Sequence, residues 1–151
     1  MKSEKPKAGK VAYESSADAA VRALRGHLEF DEIEAALGVY LKSRERIEGW
    51  RPPPREWVEL IKGLLEQDAW ESAIAVMQHY EKEVEAPSSR VRLKLAQLLV
   101  QKQERPARAL RVLAQIPAGS LPNPLEALRA QVARQAQQML DEGVLELEDE
   151  V

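Results

Sequence analysis

The side chains with chemistry of their own are few in this sequence and widely spread. His27 and His79 fall on different predicted helical segments, and with no cysteine in the chain nothing joins them into a metal site. The carboxylate pairs Asp31/Glu32 and Glu81/Glu83 lie at predicted helix ends and surfaces, where solvation is the ordinary fate and acid–base catalysis would need a shaped pocket around them. The serines cluster where helices start, which capping explains, and the seven glycines are scattered, so no phosphate-cradling loop is formed. These residues predict no catalyst, no cofactor and no bound metal. Recognition of a partner is the chemistry left to the chain.

Composition narrows the kind of partner. The 151 residues are 44% hydrophobic and 31% charged, enough apolar content for one domain with a real core. Leu, Ala and Val dominate the apolar set, and Glu, Gln, Lys and Arg are helix formers, so an all-α fold is expected. The net charge of −3 is unevenly distributed: residues 1–10 carry four Lys against one Glu, and residues 141–151 carry six acids and no base. The remaining body holds 18 bases and 18 acids, and such neutrality argues against general nucleic-acid binding. No apolar run approaches the roughly 18–20 residues of a membrane span, and the absence of Cys fits a cytoplasmic chain. The organisation expected is a flexible basic tail over 1–14, a helical domain over 15–142 and an acidic tail over 143–151.

Seven helices are predicted. The first starts at Ser15 or Ser16 with a stripe of Ala19, Ala20, Val21, Leu24 and Leu28, and is expected to end at Gly26-His27. The second runs from about Asp31 to near Ile47 and should bury Ile33, Ala36, Leu37, Tyr40 and Leu41. Trp50 and Pro52-Pro53-Pro54 follow, either opening the next helix or offering a polyproline docking motif. The third and fourth helices, 54–66 and 70–84, place Trp57, Leu60, Ile61 and Leu64, then Trp70, Ala73, Ile74, Met77 and Tyr80, on their buried faces. A fifth follows Pro87-Ser88-Ser89 and runs to Gln103, a sixth begins at Pro106, and a seventh opens at Asn123-Pro124 with Asn as its cap.

The segment Arg55–Tyr80 contains two short periodic runs separated by Glu66-Gln67-Asp68, and similar pairs flank it. Phe30, Trp70 and the Arg105-Pro106 turn are expected to occupy equivalent places at the head of each second helix; Tyr40 pairs with Tyr80 at a spacing of forty, Ala73 with Ala109 at thirty-six, and Leu60-Ile61 with Leu95-Ala96 at thirty-five. Trp57-x2-Leu60-Ile61-x2-Leu64, then Trp70-x2-Ala73-x3-Met77 with Pro87 beyond, resembles the tetratricopeptide repeat over about residues 15–117. Ile61 departs from the small residue usual there. The same stretch also looks like a pentatricopeptide unit, whose reading of single-stranded RNA needs a basic groove and many repeats.

The tetratricopeptide resemblance implies a right-handed α-solenoid of about three antiparallel helix hairpins plus a C-terminal capping helix. It implies an adaptor or scaffold that binds a protein or peptide through a concave face lined by the first helix of each hairpin. A helical-bundle oligomer or structural subunit is the other class left open. The outward positions are Arg55, Val58, Glu59, Lys62 and Glu66, then Arg90, Leu93, Lys94, Gln97 and Gln101. The partner-binding set expected is Arg55, Glu59, Lys62, Arg90, Lys94, Gln97 and Gln101, with the cations clamping an acidic or C-terminal carboxylate-bearing peptide and the glutamines meeting its backbone. The tail 143–151 alternates acids with aliphatic residues and has the composition of such a peptide, so it is expected to dock in its own groove or a neighbour's, a route to self-association.

Overall fold

The computed structural model describes residues 14–147; the basic stretch 1–13 and the end of the acidic tail, 148–151, lie outside the described residues. The described chain is all-helical: α1 (Ser16–Glu29), α2 (Ile33–Arg46), α3 (Pro54–Glu66), α4 (Trp70–Glu83), α5 (Ser89–Gln103), α6 (Pro106–Ala114) and α7 (Asn123–Asp141). None of these helices is long and apolar enough to cross a membrane.

Local chemistry accounts for most of the boundaries. The Ser15 hydroxyl accepts the Asp18 amide at 3.0 Å and the Ser88 hydroxyl accepts the Val91 amide at 3.3 Å, each satisfying an N–H that the first turn leaves without an intrahelical partner. Proline in the first turn opens α3, α6 and α7, where its missing N–H costs nothing. Two expectations fail. Gly26 does not end α1, which continues to Glu29; one helical glycine costs only about 1 kcal/mol against alanine, which neighbouring turns absorb. Asn123 does not cap α7, because Pro122 holds that position and no side chain caps the helix.

The chain divides into two compact units, Met1–Gln67 and Asp68–Val151. The cut passes through the turn of Arg55–Tyr80, the stretch whose two periodic runs look in sequence like one repeat.

In the first unit α1 packs on α2, and α3 packs on both. Leu24, Ile33, Ala36, Tyr40, Trp50 and Trp57 are buried. The Tyr40 ring meets Trp50 edge-on at 6.2 Å between centroids and Trp57 at 6.1 Å, and the Trp50 Nε1–H donates to the Ala17 carbonyl at 3.3 Å. The proline connector therefore delivers Trp50 into the core, where it cannot anchor a partner. Gly63 is buried against Ile33, and a Cβ there would overlap the Ile33 Cδ1 and lie 2.9 Å from its Cγ1. Close approach of α2 and α3 thus depends on the absent side chain. Phe30 and Leu41, expected at helix heads and on buried faces, are 73% and 48% exposed.

In the second unit α5 packs against α4, α6 and α7, and α7 also lies on α6. Leu93, Leu95, Ala96, Leu98, Leu99 and Val100 are consequently buried around most of the α5 circumference. Arg129 of α7 satisfies the end of α6, its Nη2 donating to the carbonyls of Leu113 at 3.1 Å and Ile116 at 3.0 Å.

Backbone geometry gives the repeat a register. Asp31, Asp68 and Glu104 all adopt left-handed φ values, of 58°, 55° and 53°, two residues before α2, α4 and α6 begin. The residues that follow them, Glu32, Ala69 and Arg105, have ψ of 73°, 70° and 70°. The same turn therefore recurs at steps of 37 and 36 residues. In that register Ala36, Ala73 and Ala109 are equivalent and all 0% exposed; Tyr40, Met77 and Leu113 are equivalent and buried, as are Ser43, Tyr80 and Ile116. The spacing of forty that paired Phe30 with Trp70 is replaced: Ile33, Trp70 and Pro106 open α2, α4 and α6.

Candidate functional site

The α3 sequence sets Trp57, Leu60, Ile61 and Leu64 on one side and leaves Arg55, Glu59 and Lys62 exposed on the other. Arg55 Nε lies 3.8 Å from Glu59 Oε2 one turn on, a solvent-facing pair worth a few tenths of a kcal/mol. Glu56, only 5% exposed, accepts a 2.8 Å hydrogen bond from Arg25 Nε of α1. A cleft of about 550 Å³ gathers this side of the first unit. Its walls carry the cations Arg25, Arg55 and Lys62 and the carboxylates of Glu29, Asp31, Glu56, Glu59 and Glu66. Acids outnumber bases because α1 and the turn after it contribute Glu29 and Asp31, which a projection of α3 alone does not include.

On α5, Arg90 and Gln101 are exposed, while Lys94 and Gln97 are half-buried and joined along the helix by a 3.4 Å bond from Lys94 Nζ to Gln97 Oε1. Leu93, projected onto the outward face, is 2% exposed. The reason is a one-residue slip: the thirty-five-residue match of Leu60 to Leu95 becomes thirty-six in the observed register, which puts Leu93 at the place of Trp57. Arg55, Glu59 and Lys62 thus share one surface on the first unit, and Arg90, Lys94, Gln97 and Gln101 lie along one helix of the second.

Sequence reasoning missed a second cluster. A cleft of about 490 Å³ in the second unit has Leu95, Leu99 and Val112 at its apolar base and Lys82, Arg108 and Arg111 among its cations, with Glu81 and Glu83 opposing them. Arg108 and Arg111 stand three residues apart on α6, so helical spacing would have shown them together. Arg92 reaches from α5 to Glu81 at 3.5 Å and donates from Nη1 to the Gln115 carbonyl at 2.8 Å.

Beyond α7 the chain reverses at Gly143, whose φ is 87°, and the Val144 amide returns to the Met139 carbonyl at 3.0 Å, a glycine-terminated helix end. The next three residues bring Glu146 to the start of α6. Its carboxylate accepts the Ala107 amide at 2.7 Å and the Arg108 amide at 3.0 Å. Pro106 has no N–H, so these are the first amides α6 presents, and a carboxylate there also meets the positive end of the helix dipole.

The groups considered for catalysis have structural neighbours. His27 Nδ1 is 2.7 Å from Glu32 Oε1 across the turn after α1, Asp31 forms that turn, and Glu81 faces Arg92. Among the described residues no cluster of three or more His, Cys, Asp or Glu side chains could hold a metal ion. Comparison with family models, with curated proteins and with solved structures found no match.

Proposed function

We propose that this chain is a protein–protein interaction module of the tetratricopeptide-like class, an α-solenoid of about three helix hairpins plus a C-terminal capping helix. It binds a peptide or partner protein and carries out no reaction of its own. The observation that supports this reading most is the turn recurring at Asp31, Asp68 and Glu104, with a fully buried alanine five residues after each, at Ala36, Ala73 and Ala109. A small residue at a fixed place in successive helical pairs is what stacking of such pairs requires.

The surfaces proposed for the partner are the outward positions Arg55, Glu59 and Lys62 of α3 and Arg90, Lys94, Gln97 and Gln101 of α5. The α3 surface, rich in acids, suits a segment of mixed charge. The second unit, with Arg90 and Lys94 on α5 and a carboxylate already seated on α6, suits an acidic segment. The test is quantitative affinity capture from the native lysate with wild type, Lys62→Glu and Lys94→Glu. Partners retained by wild type should be lost from one or both variants, and identical partner sets in all three would overturn the assignment of these faces.

A further inference from the structure

We propose that residues 143–147 form a releasable strap that masks a carboxylate-binding site at the start of α6, so that the chain's own Glu146 competes with an acidic peptide supplied in trans. The inference rests on the reading of the chain as an acceptor of acidic segments and adds its regulation.

Three observations carry it. The site is already loaded with the chemistry it would recognise: both oxygens of one carboxylate take the Ala107 and Arg108 amides, at 2.7 and 3.0 Å. The strap is seated in the opposite sense from a packing segment, since Glu146 turns inward while Leu145 and Leu147 stand 82% and 74% exposed. Apolar burial, the usual force that fixes a terminal segment, therefore contributes little from these leucines, and attachment depends on hydrogen bonds that a second carboxylate could replace. Finally, the reversal at Gly143 supplies a joint next to a well-formed helix end, so the strap can leave without unwinding α7. The side chain of Arg108, whose amide is one of the two donors, also lines the cationic cleft of the second unit.

The experiment is a titration of the full chain with the seven-residue peptide Asp141–Leu147, read from the amide resonances of Ala107 and Arg108. In the full-chain Glu146→Ala variant the peptide should shift both amides saturably, with a midpoint at least about tenfold below that of wild type, tenfold being the factor carried by one of the two charge-assisted hydrogen bonds that the variant removes. Glu146→Gln, which keeps a single acceptor oxygen, should fall between them. A peptide carrying Gln in place of the glutamate that corresponds to Glu146 should bind the Ala variant more weakly. Equal midpoints in wild type and Glu146→Ala, or no shift at Ala107 and Arg108 in either, would overturn the proposal. Amide hydrogen exchange gives an independent reading: Ala107 and Arg108 should be protected in wild type and lose protection in Glu146→Ala, and unchanged protection would overturn the strap. If lysate capture is indifferent to Lys62→Glu and Lys94→Glu while the α6 amides still answer to the peptide, only the binding-face assignment falls. The converse result removes the strap alone.

Discussion

A methyl group at Gly63 would fall on the side chain of Ile33, and this shows how a single position ties α3 to α2. Glycine within a helix is ordinarily replaced by alanine with a gain of about 1 kcal/mol. Here the new Cβ would overlap Cδ1 and stand 2.9 Å from Cγ1 of a side chain only 4% exposed, so rotating the terminal methyl away is not enough to relieve it. Overpacking of this kind costs roughly 1–3 kcal/mol, which outweighs the propensity gain. Gly63→Ala should therefore lower the urea midpoint, and adding Ile33→Val, which removes Cδ1 but keeps Cγ1, should recover only part of the loss; a stabilised Gly63→Ala single variant would contradict the contact. Nothing in the periodicity of α3 marked Gly63, because the need for a small residue comes from α2. The sequence pattern marked Ile61 as the unusual position instead. Leu93 and Trp50 show the same limitation: one is buried through a register slip of one residue, the other because its indole finds Ala17 and Tyr40 far along the chain.

At the scale of elements, the helices were legible because proline, serine and apolar spacing act within a turn or two of where they stand. Pro54, Pro106 and Ser88 start helices by supplying or removing one hydrogen bond, and no tertiary contact is needed to read them. The turns were less legible, since their left-handed residues are Asp, Asp and Glu instead of glycine. Of the three, Glu104 is the least suited to φ of 53°, because aspartate tolerates that region better. Glu104→Gly should raise stability by about 0.5–1 kcal/mol, the relief of the left-handed penalty less the entropy glycine adds to the unfolded chain. Thermal unfolding would register this as a Tm increase of a few degrees, and a lowered Tm would mean that the Glu104 side chain makes a contact worth more than the strain. The contrast between α3 and α5 also belongs to this scale. Both follow similar patterns in sequence, yet α5 is surrounded by α4, α6 and α7 and keeps little outward face, whereas α3 presents a charged one.

For the molecule as a whole, the chain divides at Gln67–Asp68 into two compact units. Leu24, fully buried in the first unit, tests how far they are independent. Leu24→Ala should cost about 2–5 kcal/mol as a cavity in that unit. In native-state hydrogen exchange, α1 and α2 amides should lose protection while those of α5 and α6, held by the second core, change much less. Equal loss of protection throughout would show one cooperative body.

Helical class and most element boundaries were determined by the sequence itself, because each depends on the order of residues over one or two turns: caps, prolines and the 3.6-residue spacing of apolar side chains. The repeat length was nearly visible, in the Ala73–Ala109 match, and only its common register at Asp31, Asp68 and Glu104 needed the backbone. Which charged groups share a surface was decided by tertiary structure alone. Glu29 and Asp31 make the α3 cleft acidic, Arg108 and Arg111 join Lys82, and Glu146 crosses nearly forty residues of chain to reach Ala107. Such groupings depend on packing between distant segments, and a carboxylate at the far end of the chain carries no local mark of the helix it will cap.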